Sequence, residues 1–132
     1  MYLCLTGNIN SQAAKEKERF NWDRVIEAII QVESRGNQNA FNKEGNCAGI
    51  LQITKICVAD VNRILNRKEY TLEDRFNVEK SKEMFRIIQA TYNKENNIEK
   101  AIRIWNGGCG YSKAKTEAYY QKVMNVYNNG EL

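Results

Sequence analysis

From Asn21 onward the apolar positions fall at helical spacing. Trp22, Val25, Ile26, Ile29, Ile30 and Val32 recur every three to four residues, which predicts an amphipathic helix. Asn21 is a candidate N-cap, Asp23 suits the positive first turn, and Gly36 is a candidate left-handed stop. Four more helices follow from the same pattern: about Ile56–Asn66, Asn77–Tyr92, Ile98–Trp105 and about Thr116–Asn128. Residues 36–49 hold three glycines and four asparagines and read as a long, turn-rich loop. Strand-like alternation is nearly absent, so at most a very short hairpin belongs in the 36–53 region. The predicted fold is mainly α, a single domain with long loops.

One residue breaks the pattern. On a helical wheel Glu33 falls in the middle of the apolar arc, four residues after Ile29, seven after Ile26 and eleven after Trp22. The other polar residues, among them Asp23, Arg24, Glu27, Gln31 and Arg35, fall outside that arc. Ionising a carboxyl on a buried stripe is costly, so burial raises its pKa and keeps a proton available near neutrality. A general acid needs that property. The alternative is a Glu that swings out of a frayed last turn or pairs with an arginine.

Composition narrows the chemistry. The 132 residues suit one domain. Histidine is absent, which excludes Ser-His-Asp and Cys-His catalysis and imidazole metal sites, and no apolar run reaches the ~18 residues of a membrane helix. The net charge of +4 comes from basic residues interleaved with acidic ones, a pattern that argues against nucleic acid as partner. Cys4, Cys47, Cys57 and Cys109 form no C-x-x-C pair, so a metal site is not expected. Residues 1–20 are predicted to be a flexible N-terminal segment without a working export signal, and residues 21–132 the folded domain.

Three segments join Glu33 in order: Val32-Glu33-Ser34-Arg35-Gly36, then Gly49-Ile50-Leu51-Gln52-Ile53, then Ala101-Ile102-Arg103-Ile104-Trp105-Asn106-Gly107-Gly108. With a late tyrosine these resemble the soluble lytic transglycosylase family, of the lysozyme-like superfamily and related to goose-type lysozymes, over about Trp22 to Tyr127. The resemblance implies Glu33 as catalytic acid/base with Ser34 its companion. It implies Gly49 and Gln52 at the substrate, the glycine where backbone passes close to the sugar. Asn106 would hold the reacting sugar, and Tyr119 would approach the acid, with Tyr120 as the residue most easily confused with it. Trp105 stands where the family has Tyr, Ser81 where Asn77-Val78 would be followed by Gly, and Lys115 where a Glu is frequent.

Cys47 and Cys109 lie beside two of these segments, and a disulfide joining the two loops is a possible pairing. Reduced thiols are the alternative, since four cysteines allow three pairings. Glycosidases normally use two carboxylates, and Glu44 and Asp60 are the nearest second candidates. The resemblance implies a one-carboxylate route on peptidoglycan strands instead: cleavage between MurNAc and GlcNAc with a 1,6-anhydro product, no metal or cofactor, and a monomer acting in the periplasm, the envelope or outside the cell. Alternatives are a hydrolytic muramidase on the same fold, a noncatalytic glycan-binding module, and a basic helical nucleic-acid binder.

Overall fold

The computed structural model describes residues 19–130. Most of the segment expected to be flexible, with Cys4, therefore lies outside the described residues, as do the last two positions. The order of elements is helix α1 (Asp23–Glu33), strands β1 (Phe41–Asn42) and β2 (Cys47–Ala48), helix α2 (Lys55–Leu65), a 3-10 helix (Leu72–Phe76), then α3 (Val78–Tyr92), α4 (Ile98–Gly107) and α5 (Lys113–Asn129). The fold is mainly helical, and its sheet is one two-stranded antiparallel hairpin pairing Phe41 with Ala48 and Asn42 with Cys47.

Local chemistry sets the boundaries. The first helix begins at Asp23 with Trp22 in the cap position, and Asn21 acts one residue early, its Oδ1 accepting from the Asp23 N–H at 2.9 Å. At the other end the left-handed turn starts at Arg35 (φ 55°) and continues through Gly36 (φ 84°). Thr54, Asn77, Asn97 and Ser112 cap the later helices by accepting an N–H three residues on. The Ser112 cap starts α5 three residues before the expected Thr116, because Lys113-Ala114-Lys115 has no apolar period to reveal a helix.

The 3-10 helix was not expected. Its start carries a capping box, Thr71 with Asp74, and it delivers Arg75 into the interior. Arg75 is held entirely by oxygen acceptors of neutral groups: Asn46 O and Oδ1, Ile53 O and Leu72 O.

Helix α1 buries Val25, Ile26, Ala28, Ile29 and Ile30 and packs along α5, which also packs along α4. Rings of Phe20, Trp22, Phe85 and Trp105 follow one another at centroid separations of 4.4, 6.0 and 4.9 Å, running from the start of α1 through α3 to α4. Helices α4 and α5 are also clamped by Arg103. Its guanidinium is 1% exposed and reaches Glu99, Lys113 O, Thr116 and Glu117, with the Tyr120 ring 4.5 Å away.

Candidate active site

Glu33 is the last residue of α1 and is half-buried, on the helix face that the wheel assigns to it. Burial pushes its pKa from 4.5 to about 7, and a hydrogen bond from Tyr119 opposes that rise. The Tyr119 hydroxyl donates to Glu33 Oε2 at 2.8 Å. Burial and the neighbouring Glu33 charge raise the Tyr119 phenol well above its ordinary range, so the phenol stays a donor. Tyr120, one residue on, faces Arg103 instead. Among the described residues Glu33 is the carboxyl raised in this way.

The turn Gly49–Ile53 is the hub of the site. Its Gln52 N–H donates to Gly49 O at 3.1 Å, Ala48 and Ile53 exchange backbone hydrogen bonds at 3.0 and 2.9 Å, and Gly49 (φ 82°) and Gln52 (φ 51°) are both left-handed. Three neighbours then bind three of its carbonyls. Ser34 Oγ donates to Ile50 O at 2.8 Å, Trp105 Nε1 to Leu51 O at 2.9 Å, and Arg75 to Ile53 O at 3.1 Å. The residue after Glu33 and the residue before Asn106 are thus fixed to adjacent carbonyls.

Ser34 is therefore occupied inside the protein, also accepting from the Gly36 N–H at 3.1 Å. Gly49 has an internal reason as well. A Cβ there would stand 1.7 Å from Arg75 O, the carbonyl that also accepts from the buried Ser81 hydroxyl at 2.9 Å. In this structure Gly49 approaches the chain's own backbone closely. Ser81, in the family's glycine position, uses its hydroxyl to hold the same carbonyl.

A cleft of about 480 Å³ opens beside this turn, with Gln52, Trp105 and Asn106 in its lining. Glu33 and Tyr119 are not among the lining residues; the Gly49–Ile53 turn links them to it. Gln52 directs Nε2 to Ala40 O and Gly49 O at 3.3 and 2.9 Å, leaving Oε1 as its accepting atom. Trp105 has its N–H engaged and its ring against Phe85. Asn106 is exposed and makes no side-chain hydrogen bond among the described residues, so its amide is available to a ligand.

The other carboxylates are placed differently. Glu44 is exposed in the hairpin turn. Asp60 lines the cleft but is held by Arg63 and by the Tyr92 hydroxyl. Cys47 and Cys109 are free thiols, so the pairing considered for them is not formed; Cys57 is free too. Burial and the nearby Glu33 charge raise the Cys47 thiol, which places this side chain within the field of the acid, while Arg75 draws it down. Arg75 itself gave no signal in the sequence beyond the Thr71–Asp74 capping box that precedes it. No group of acidic residues and cysteines able to hold a metal occurs among the described residues, and no helix there is long and apolar enough to cross a membrane.

A cleft lined by Gln52, Trp105 and Asn106 thus lies on one side of the Gly49–Ile53 turn, and a carboxyl whose pKa burial raises to about 7, with a tyrosine bonded to it, lies on the other. The family model for the transglycosylase SLT domain matches residues 9–130. No curated relative and no solved structure matches the chain. The match spans nearly the whole chain, which belongs to the SLT transglycosylase family of the lysozyme-like superfamily, and with it to the peptidoglycan lytic transglycosylases at the level of family.

Proposed function

We propose that this domain cleaves the β-1,4 bond between MurNAc and GlcNAc in peptidoglycan, with Glu33 as its single acid and base and a 1,6-anhydro-MurNAc end as product. The raised pKa of Glu33 beside Tyr119 carries this reading. At neutral pH a substantial share of Glu33 is protonated. With Oε2 accepting from Tyr119, the other oxygen is left to carry the proton toward the glycosidic oxygen.

Proton transfer and C1–O cleavage release the GlcNAc 4-hydroxyl. The MurNAc acetamido oxygen then supports the developing positive charge at C1, the substrate-assisted alternative to a second carboxylate. The C6 hydroxyl attacks C1 and gives its proton to the ionised Glu33, which restores the acid. The occupied state of Asp60 and the exposed position of Glu44 favour this one-carboxylate route. Gln52 Oε1 and the free amide of Asn106 are the groups we assign to orienting the sugar, over the aromatic face of Trp105. The substrate places the site of action in the cell envelope.

The test is digestion of purified peptidoglycan followed by mass spectrometry of the released muropeptides. Anhydro ends are expected from the wild-type chain, and none from Glu33→Gln. Reducing ends would identify a hydrolase, and full activity in Glu33→Gln would remove the acid from the mechanism.

A further inference from the structure

The surface beside Glu33 carries charge that has no part in the chemistry above. Arg35 follows Glu33 by two residues, where the chain turns left-handed at φ 55°. On α5, Lys115 and Lys122 stand four residues before and three after Tyr119, whose hydroxyl bonds the acid. Residues at these spacings are surface neighbours on a helix. Both lysines fall about 40–60° to one side of Tyr119 around α5, and Tyr120 falls about 100° to the other, toward Arg103.

All three cations are exposed, and none makes a side-chain hydrogen bond or ion pair among the described residues. The acids of the same two helices do not balance them. Asp23 bonds Arg86, Glu117 bonds Arg103 and Gln121, and Glu27 lies about 120° from Glu33 around α1. The cations also stand off from the acid, whose pKa is set by burial and by Tyr119. Their charge is therefore left for a group that extends outward from a sugar held at Glu33. Lysine and arginine side chains take carboxylates in charge-assisted hydrogen bonds. On a peptidoglycan strand those carboxylates are carried by the peptide stem, which projects from the MurNAc ring. Lys115 stands where the family frequently has Glu, so this charge belongs to the chain and not to the family pattern.

We infer that Arg35, Lys115 and Lys122 form a rim that recognises the stem carboxylates next to the bond being cut, so that the domain distinguishes free-acid stems from amidated ones. The inference rests on the glycan-cleaving reading of the site.

The test compares two strand preparations, both freed of phosphate polymers by hydrofluoric acid so that carboxylates are the anions present. In one the stem carboxyls are free, and in the other carbodiimide and ammonia have converted them to amides. Wild-type kcat/KM should be about tenfold higher on free-acid strands, the sum of three exposed pairs worth roughly 0.2–1 kcal/mol each. The gap should shrink as salt rises, since exposed charges are screened over about 10 Å at 0.1 M. The triple variant Arg35→Gln, Lys115→Gln, Lys122→Gln should lose that advantage through KM with kcat retained, and should match wild type on amidated strands. Circular dichroism melting checks that it is folded. A wild-type chain indifferent to amidation overturns the inference, and so does an equal loss on both preparations. If the wild-type chain cleaves neither preparation, the functional reading falls. Fluorescence anisotropy with labelled free-acid and amidated strands on Glu33→Gln, with and without the three substitutions, then still decides the rim.

Discussion

Tyr119 reaches Glu33 across 86 positions of sequence, and its hydroxyl donates to Oε2 at 2.8 Å. A hydrogen bond of this kind favours the ionised carboxylate, so it holds the pKa of Glu33 below what burial alone would give. Tyr119→Phe should therefore move the alkaline limb of the pH–activity profile to higher pH. The rate at the optimum should drop by about tenfold or more, as expected when a bond to a charged group worth roughly 1.5–3 kcal/mol is lost. An unmoved limb in a folded variant would show that the tyrosine does not act on the acid.

The same carboxyl leaves a mark on stability. Its folded pKa of about 7 lies above the ordinary 4.5, so the folded state holds the proton more tightly than the unfolded state. The stability that goes with that proton is fully present below pH 4.5 and is lost as pH rises through about 7. At 1.36 kcal/mol per unit the difference is about 3 kcal/mol. Glu33→Gln, which cannot ionise, should be more stable than wild type at pH 8–9 by up to about that much. The difference should shrink toward acid pH. Urea unfolding at several pH values checks both ends of the window.

Gly49→Ala should destabilise the domain by roughly 3–5 kcal/mol, because left-handed backbone and steric overlap act together. The new Cβ would meet Arg75 O at 1.7 Å, backbone that cannot swing aside. Urea denaturation measures the loss, and a change below about 1 kcal/mol would refute the packing account of this glycine.

Ser34→Ala leaves the buried Ile50 carbonyl without its side-chain donor. A stability loss of about 1–2 kcal/mol follows. Activity should fall further than stability does, since Ser34 joins the helix that carries Glu33 to the turn that carries Gln52. A variant whose activity falls only in step with its unfolded fraction would reduce Ser34 to a packing residue.

Much of this site was legible in the chain because helical periodicity is a strong local signal. Glu33 stands out against Ile26 and Ile29 on its own stripe, and the structure keeps it there. The choice of Tyr119 over Tyr120 came from the family resemblance and not from periodicity. The two side chains point about 100° apart on α5, and only the packing of α5 against α1 and α4 decides which meets Glu33 and which meets Arg103. Arg75 escaped for a different reason. A charged residue in a polar stretch reads as solvent-facing, and its burial depends on carbonyl acceptors assembled from Asn46, Ile53 and Leu72, which sequence spacing does not reveal. Gly49 was recognised, but its cause lies in a backbone contact 26 residues downstream.

The carbonyls of Ile50, Leu51 and Ile53 are each gripped by a different part of the chain. Four residues of backbone thereby tie the acid's helix, the aromatic wall and the 3-10 helix into one mechanical unit. Such a junction couples the position of the acid's helix to that of the aromatic wall. The amide protons of Gln52 and Ile53 should accordingly exchange with deuterium only when the entire molecule opens, and the groove should be the same shape before a strand arrives as after it leaves.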